Sequence, residues 1–377
     1  MLKISPVLGI SPFEFPDVGL IAALCRAGAI GVLDLGRDPN QRDLAIQDLA
    51  HRVDAFGVRI PRGVSVAASD LPKQVKFVVL TPHHCPSEFA KTHIVLCQVT
   101  SIAQALVAEQ AGAHALIAKG SESGGEVGNE SAFILLQSLQ GNTELPIWVQ
   151  GGIGLHTAAA AMAGGAEGVV LDSQLALVRE SGLPEDVKHA VQSMDGSETV
   201  IVAGHRVYSR PDLPVASLDS SRIEDILPRL GGSNLKTQLL AVGQEGANAS
   251  NLAKRFATAG GVVAAFNQSM TQHLECAERL NPLGPDSPLA ERHGTRYPIV
   301  QGPMTRVSDT AAFADAVSQA GGLPFLALAL SRGARVRELL EETKELLGDR
   351  PFGVGILGFV PPSLREEQLA VIREIPP

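Results

Sequence analysis

The feature that most constrains this chain is a series of short apolar segments, each followed by a segment with helical periodicity. Parallel strands need a crossover connection, and a helix that covers the sheet supplies it. Eight such units predict an α/β protein with a compact (β/α)8 TIM barrel over residues 1–195. A doubly wound open sheet has the same local pattern and stays open as the alternative. The predicted strands are Ile4 to Gly9, Ile30 to Leu35, Gly57 to Ile60, Lys76 to Leu80, His93 to Val99, Ala115 to Ala118, Ile147 to Gln150 and Gly168 to Leu171.

Composition narrows the class of protein. Hydrophobic residues make up 45% of the 377 positions and aromatic residues 4%, a balance typical of α/β proteins. The formal net charge is -9 without a basic run, which argues against nucleic acid and anionic membranes as partners. No apolar run approaches the roughly 20 residues of a membrane span, and the N-terminus lacks a signal-peptide pattern. We therefore expect a cytoplasmic protein whose four cysteines are reduced core thiols and bind no metal.

The remainder of the chain divides into three further segments. Residues 196–280 start with the extended piece TVIVAGHRVYSRP and continue as a mostly helical extension. Residues 281–295 combine proline, glycine and charge without periodicity, which predicts a linker. Residues 296–377 then repeat the start of the chain.

Three matching places support this repeat. PIVQG at Pro298 resembles SPVLG at Ser5. A predicted helix starts at Asp309, 292 residues after the one that starts at Asp17, and FGVGI at Phe352 lies 296 residues after FGVRI at Phe56. A nearly constant offset predicts a tandem duplication. The second copy reaches about three strands, so we expect either a longer polypeptide or a partial copy that docks on the first barrel.

The best-defined candidate for a binding site is the double-glycine turn at Gly151 and Gly152. It follows the predicted strand that ends at Gln150 and precedes an Ala-rich helix. Backbone N–H groups at such a turn approach an anion closely because glycine has no Cβ. The pattern indicates either a phosphate cradle or a tight turn that binds nothing.

A second candidate is the glycine-rich loop KGSESGGEVG, which begins at Lys119 where the sixth predicted strand ends. Gly124 and Gly125 allow a flat ligand to approach the backbone, and Glu122 and Glu126 place carboxylates above it. A solvated acidic loop explains the same residues. Lys119 could face a phosphate or an electron-rich ring, or simply be exposed.

Together these motifs resemble a known family. GSESGG after TSIAQALVAEQAGAHALIAKG, then PIWVQGGIG and GAEGVV, are similar to the nitronate monooxygenase (2-nitropropane dioxygenase) family of flavin-dependent TIM barrels. Flavin-dependent enoyl reductases of fatty-acid synthesis share the pattern. The resemblance implies an FMN with its phosphate on the turns after strands seven and eight and its ring across the barrel mouth. The residues that match these places are Gly151, Gly152 and Ile153 for the first phosphate turn, and Glu122, Gly124 and Gly125 near the ring. Lys119 and Ser173 are further candidates for binding the cofactor.

The chain departs from the family pattern at the places that carry chemistry. Glu126 stands where the family usually has the histidine that transfers protons. Asp172 and Ser173 replace the usual Gly-Thr of the second phosphate turn, and a carboxylate there repels phosphate unless Lys119 or Arg59 compensates. Ser11 replaces a methionine, and Arg59 replaces an asparagine.

The second copy differs from the first at the corresponding positions. It keeps Gln301, Gly302, Pro303 and Met304 of the family pattern, but has Gly355 in place of the asparagine. Tandem barrels of this kind resemble the N-terminal region of large polyketide or polyunsaturated fatty-acid synthases.

Two hypotheses about function follow from the resemblance. The first is an FMN-dependent oxidoreductase acting on a small molecule or an acyl thioester, with Glu126 and Glu122 nearest the substrate. The second is a degenerate barrel that serves as a scaffold or docking domain among the other domains of a larger synthase.

Overall fold

The computed structural model describes residues 5–209, 222–285 and 287–377. Its chain divides into two compact units, with the boundary between Leu274 and Glu275. Each unit is described by itself below.

The core of the first unit is a closed barrel of eight parallel strands, which confirms the predicted TIM barrel. The open-sheet alternative is wrong, because the first strand pairs with the last, Leu8 opposite Val170. A further two-residue strand, β7 (Gly125–Glu126), lies outside the barrel. The barrel strands are β1 (Val7–Ile10), β2 (Ile30–Asp34), β3 (Phe56–Ile60), β4 (Val75–Leu80), β5 (Ile94–Val99), β6 (Ala115–Lys119), β8 (Ile147–Gln150) and β9 (Gly168–Leu171).

Alternating side chains of the strands explain the two apolar layers. Along β1, Val7 contacts the surrounding helices while Leu8 and Ile10 fill the barrel interior. Trp148 of β8 is 2% exposed and lies in the same interior cluster, as its position in a predicted strand suggested.

Helices cover most of the barrel. Asp17 accepts a hydrogen bond from Leu20 N at the start of the first helix, and Ser101 accepts one from Gln104 N. The connections from β3 to β4 and from β4 to β5 contain only the short 3-10 turns Ala68–Asp70 and Pro86–Glu88. The helices between strands are α1 (Val18–Arg26), α2 (Pro39–Arg52), α3 (Ile102–Gln110), α4 (Ala132–Gln140) and α5 (Leu155–Ala163).

The segment after the barrel begins with α6 (Glu185–Gln192) and an antiparallel hairpin of β10 (Thr199–Val202) and β11 (His205–Tyr208). The second strand of the hairpin pairs with β7, His205 opposite Glu126. Arg210 and Pro211, the end of the predicted extended piece, lie outside the described residues. The helices that follow are α7 (Ile223–Ile226), α8 (Ala249–Phe256) and α9 (Ala259–Leu280).

The second unit contains a three-stranded parallel sheet with the element order of β1 to β3. A short helix, α10 (Pro288–His293), lies within the segment predicted as a linker. The exposed fractions of Ile299, Val300 and Phe359 are 55%, 50% and 83%. The elements are β12 (Val300–Gln301), α11 (Ala311–Gln319), β13 (Leu323–Ala327), α12 (Gly333–Leu347), β14 (Gly353–Gly355) and α13 (Pro362–Glu374).

The four cysteines are free thiols. Cys97 is buried, and burial raises the pKa of its thiol to about 12. Cys85 is exposed, so the expectation that all four lie in the core is wrong for this residue. Within the described ranges, no helix is both long and apolar enough to cross a bilayer.

Candidate functional site at the barrel mouth

The carboxyl ends of the barrel strands carry a layer of polar side chains. Each lies two residues beyond an interior position of its strand, for example Asp34 after Val32 and Gln98 after Leu96, and so points into the top of the barrel. Five of them are at most 9% exposed. We call this set the polar layer; its members are Asp34, Arg59, Gln98, Lys119, Gln150 and Asp172.

Arg59 is the centre of one half of the polar layer. Its guanidinium donates to Asp34 Oδ2 at 2.5 Å and to Gln98 Oε1 at 3.0 Å, and lies 3.8 Å from Glu14 Oε1. Burial alone would lower the pKa of Arg59, but the charges of Asp34 and Glu14 outweigh it and raise that pKa. Burial raises the pKa of Glu14, although Arg37, at 2.6 Å, opposes the effect.

The other half of the polar layer is a chain of amides that ends on a carboxylate. Gln98 Nε2 donates to Gln150 Oε1 at 2.7 Å, and Gln150 Nε2 donates to Asp172 Oδ2 at the same distance. Asp172 Oδ1 accepts from Ser173 N at 2.5 Å. A continuous series of hydrogen bonds therefore crosses the barrel mouth from Asp34 to Ser173.

The double-glycine turn has the backbone geometry expected of it. Gly151 and Gly152 have φ values of +110° and +62°, which L residues with a side chain rarely adopt. The Gly152 N–H, however, faces Glu245 Oε2 at 3.4 Å. The side chain of Glu122 packs on the same turn, and both its oxygens accept from Ala132 N at the start of α4. Ile153, the third residue of the predicted phosphate turn, is fully buried and its carbonyl accepts from Gln174.

A segment of the extension covers the mouth. A Cβ on Gly124 would collide with the carbonyl of Ala241 and the backbone N of Gly243. Gln244 N donates to Glu122 O at 2.8 Å, and Gly243 N donates to Ser173 Oγ at 3.3 Å. We call residues 241–245 the covering segment. The covering segment therefore contacts both the glycine-rich loop that begins at Lys119 and the predicted second phosphate turn at Asp172 and Ser173.

Glu126 has partners different from those of Glu122. His83 Nε2 lies 2.7 Å from Glu126 Oε1, and Arg62 lies 3.3 Å from the same oxygen. Burial would raise the pKa of Glu126, but the hydrogen bond and charge of His83, with His205 and Arg62, lower it. Burial lowers the pKa of His205, its neighbour across the strand pair. The two predicted catalytic carboxylates therefore share no hydrogen-bond partner among the described residues.

Lys119 is a buried amine at the centre of the mouth. It is 4% exposed and makes no ion pair with any residue that the structure describes. Burial, followed by the charge of Arg59, lowers the pKa of Lys119 to about 8. A Cβ on Gly125 would lie 3.5 Å from its Nζ, so this predicted loop residue borders the amine.

Sequence reasoning missed five residues that shape the site: Glu14, Asp34, Gln98, Gln150 and Glu245. Gln98 and Gln150 could have been found from alternation along β5 and β8, because each follows an interior position by two residues. No local signal identifies Glu245, since it lies 93 residues from its partner Gly152.

Metal binding has no support at this site. His83 and His84 are adjacent in sequence but have separate partners, Glu126 and Thr81. Among the described residues, no cluster of three or more His, Cys, Asp or Glu side chains could hold a metal ion.

The closed parallel barrel, with its polar groups at the carboxyl ends of the strands, defines a TIM barrel. The model of the nitronate monooxygenase family matches residues 55–210 and 286–375. The chain therefore belongs to the nitronate monooxygenase family, a family of FMN-dependent TIM barrels and oxidoreductases.

A curated relative and two solved structures give further comparisons. The (3aS,4S,5R,7aS)-5-hydroxy-7a-methyl-1-oxo-octahydro-1H-indene-4-carboxyl-CoA dehydrogenase of Rhodococcus jostii is 31% identical over 198 residues, 48% of this chain and 55% of the relative. The chain spans about half the length of this relative. FabK from Thermotoga maritima aligns with a TM-score of 0.63 and 25% identity, over 74% of this chain and 96% of that one. Nitroalkane oxidase from Streptomyces ansochromogenes, 20% identical, aligns with a TM-score of 0.55 over 72% and 97%.

The mouth of the first barrel does not fit the FMN that the family implies. The polar layer and the covering segment leave a cavity of about 30 Å³, room for about one water molecule. Pockets for organic ligands measure roughly 300–1,000 Å³. The two backbone N–H groups of the predicted phosphate turns, on Gly152 and Ser173, face carboxyl oxygens of the same chain. The ring therefore has no place at the mouth, although Gly152 also borders a separate cavity of about 290 Å³ that Arg255 lines.

Proposed function

We propose that the first unit is a flavin-free barrel of the nitronate monooxygenase family that acts as an architectural or docking domain in a larger oxidoreductase or synthase. The observation that carries this proposal is the cavity of about 30 Å³ at the mouth. An enzyme site needs a cleft that surrounds its ligand, and here side chains of the chain itself fill that cleft.

The larger enzyme, in this proposal, moves electrons or a hydride through FMN bound elsewhere. Its substrate would be a small molecule or an acyl thioester, and its partners the other domains of a synthase. The acyl-thioester class is supported by the dehydrogenase of Rhodococcus jostii, whose name describes a carboxyl-CoA substrate. The multidomain context agrees with a further structural neighbour, the enoyl reductase domain of MlnA from Bacillus amyloliquefaciens, which at 11% identity shares the fold. A cytoplasmic location stays a prediction.

The second candidate function is an FMN-dependent monooxygenase or enoyl reductase with its site in the first barrel. Family membership and the positive φ values at Gly151 and Gly152 favour it. It requires the side chain of Arg59 and the covering segment to move out of the mouth. Because Arg59 would then leave the buried carboxylate of Asp34, the opening would cost several kcal/mol.

A titration of the full chain with FMN tests the proposal. We expect the visible spectrum of FMN to stay that of the free cofactor, and gel filtration to separate FMN from the protein. The matched variant is Gly152→Asp, which adds a third carboxylate at the turn and blocks the cradle. One-to-one FMN binding by the wild type that Gly152→Asp abolishes would overturn the proposal and establish the second candidate.

A further inference from the structure

The buried carboxyl group of Glu245 has no role in the network that crosses the mouth. Glu245 is 2% exposed, and its Oε2 lies 3.4 Å from Gly152 N. Its Oε1 has no hydrogen-bond partner among the described residues. Burial, followed by the charge of Asp172, raises the pKa of Glu245 well above its ordinary value. A buried polar group left partly unpaired destabilises a fold, so its position requires an explanation.

The explanation lies in the backbone that Glu245 faces. Gly152 precedes α5, a helix of nine residues, and its N–H belongs to the kind of turn that binds anions. Asp172 is placed in the same way on Ser173 N, after the next barrel strand. Two carboxyl groups of this chain thus meet two N–H groups at adjacent strand ends.

We propose that Glu245 and Asp172 together take the place of a phosphate group in the turns after β8 and β9. Removal of the two carboxyl groups then uncovers a binding site for inorganic phosphate. This inference rests on the proposed function, because it explains how a flavin-free barrel satisfies the backbone N–H groups of its phosphate cradle.

The geometry makes the carboxyl groups and a phosphate mutually exclusive. Glu245 occupies the space above Gly243 so closely that a Cβ there would collide with it. Glu122 also lies against Gly151 and Gly152, but both of its oxygens accept from Ala132 N at the start of α4. A phosphate dianion would meet steric overlap and like charge at once.

The test measures binding of inorganic phosphate to the full chain by calorimetry, for the wild type and for the double variant Glu245→Ala/Asp172→Ala. We expect the double variant to bind phosphate at least tenfold more tightly than the wild type. Glu245→Gln is the matched control, because it keeps the bulk and an acceptor oxygen on Gly152 N, and it should bind as weakly as the wild type. A folded double variant with wild-type affinity for phosphate would overturn the inference.

Folding of the variants is checked by circular dichroism, with and without phosphate. If the double variant unfolds, the inference predicts that phosphate restores the fold, and failure to restore it contradicts the inference. FMN is titrated in parallel. Binding of FMN by the wild type would contradict the proposed function. The inference about Glu245 and Asp172 is tested separately, by the affinity of the double variant for phosphate. We expect the double variant to bind phosphate but not FMN, because the polar layer still fills the space of the ring.

Discussion

The two units of this chain have the same order of elements at their starts but differ where their strands end. In the first unit, β3 ends near the buried Arg59, whose ion pair with Asp34 closes one side of the mouth. In the second unit, the corresponding position in β14 is Gly355, and Met304 after β12 is 45% exposed. Nothing lies within 4 Å of a Cβ on Gly302.

The difference shows that one local sequence pattern supports two kinds of strand end. Apolar periodicity and glycine turns determine the βα units in both places. In the first unit, the long charged side chain of Arg59 fills the space at the strand end. In the second unit, Pro303 lies so close to Gly355 that a Cβ there would collide with it.

The largest effect is expected for Arg59→Ala. The substitution leaves the buried carboxylate of Asp34 without its cation, which should lower the free energy of unfolding by about 3–5 kcal/mol. Arg52→Ala is the control, since its ion pair with Asp48 is half exposed and contributes about 0–1 kcal/mol. Urea unfolding measures both. Equal losses for the two variants would mean that the mouth of the first unit is not a closed polar network.

The next effect concerns Lys119 and pH. Its pKa falls from 10.5 to about 8 on folding, so the folded state releases this proton first as pH rises. Below pH 8 the buried charge destabilises the fold, and between about pH 8 and 10.5 this penalty disappears. The stability of the wild type should therefore rise relative to Lys119→Met by about 3 kcal/mol across that range. Chemical unfolding of both proteins at pH 7, 8.5 and 10 measures this difference. Equal dependence of the free energy of unfolding on pH in the two proteins would contradict a lowered pKa of Lys119 in the folded state.

A smaller change is expected for Glu245→Gln. The folded pKa of Glu245 is raised, so its carboxyl group stabilises the fold below about pH 4.5 and loses that contribution as pH increases. The glutamine variant should be more stable than the wild type at pH 7, on the order of 1 kcal/mol, and no more stable at pH 4. Thermal unfolding of the wild type and the variant at pH 7 and pH 4 measures this difference in stability. A destabilised variant at pH 7 would indicate an ionised, well-paired carboxylate.

The smallest effect is expected in the second unit. Met304→Ala removes a side chain that is 45% exposed at the end of β12, and should change the free energy of unfolding by at most about 0.5 kcal/mol, as urea unfolding would measure. A loss of about 2 kcal/mol or more would show that the strand ends of this unit are as closely packed as the mouth of the first.

Much of the fold could be predicted from the sequence because buried parallel strands are nearly continuous apolar runs. The strands from Ile147 and Gly168 were located to the residue. The first strand was predicted from Ile4, which lies outside the described residues; Ser5 and Pro6 precede β1, which starts at Val7 after a proline that lacks an N–H group. The helix α2 begins at Pro39, a residue typical of the first helical position, after the N-cap Asp38.

The candidate site was predictable only in part. The glycine turns and the Lys119 loop do lie at the barrel mouth, because strand order places them there. The roles assigned to Glu122, Glu126, Ser173 and the loop glycines stay predictions. What occupies the turns depends on Glu245, which reaches Gly152 through a covering segment far along the chain. Contacts of that kind follow from tertiary packing, which local patterns do not encode.

The two barrel connections without helices have a consequence for how the wall of the barrel opens. Between β3 and β5, loop residues such as Leu71 and Phe89 shield the outer face of β4 in place of a helix. Loops lack the cooperative hydrogen bonding of a helix and open at lower free energy. This sector is therefore the part of the barrel wall that we expect to open most easily. Amide exchange and proteolysis should start there, and an inserted peptide should be tolerated best there.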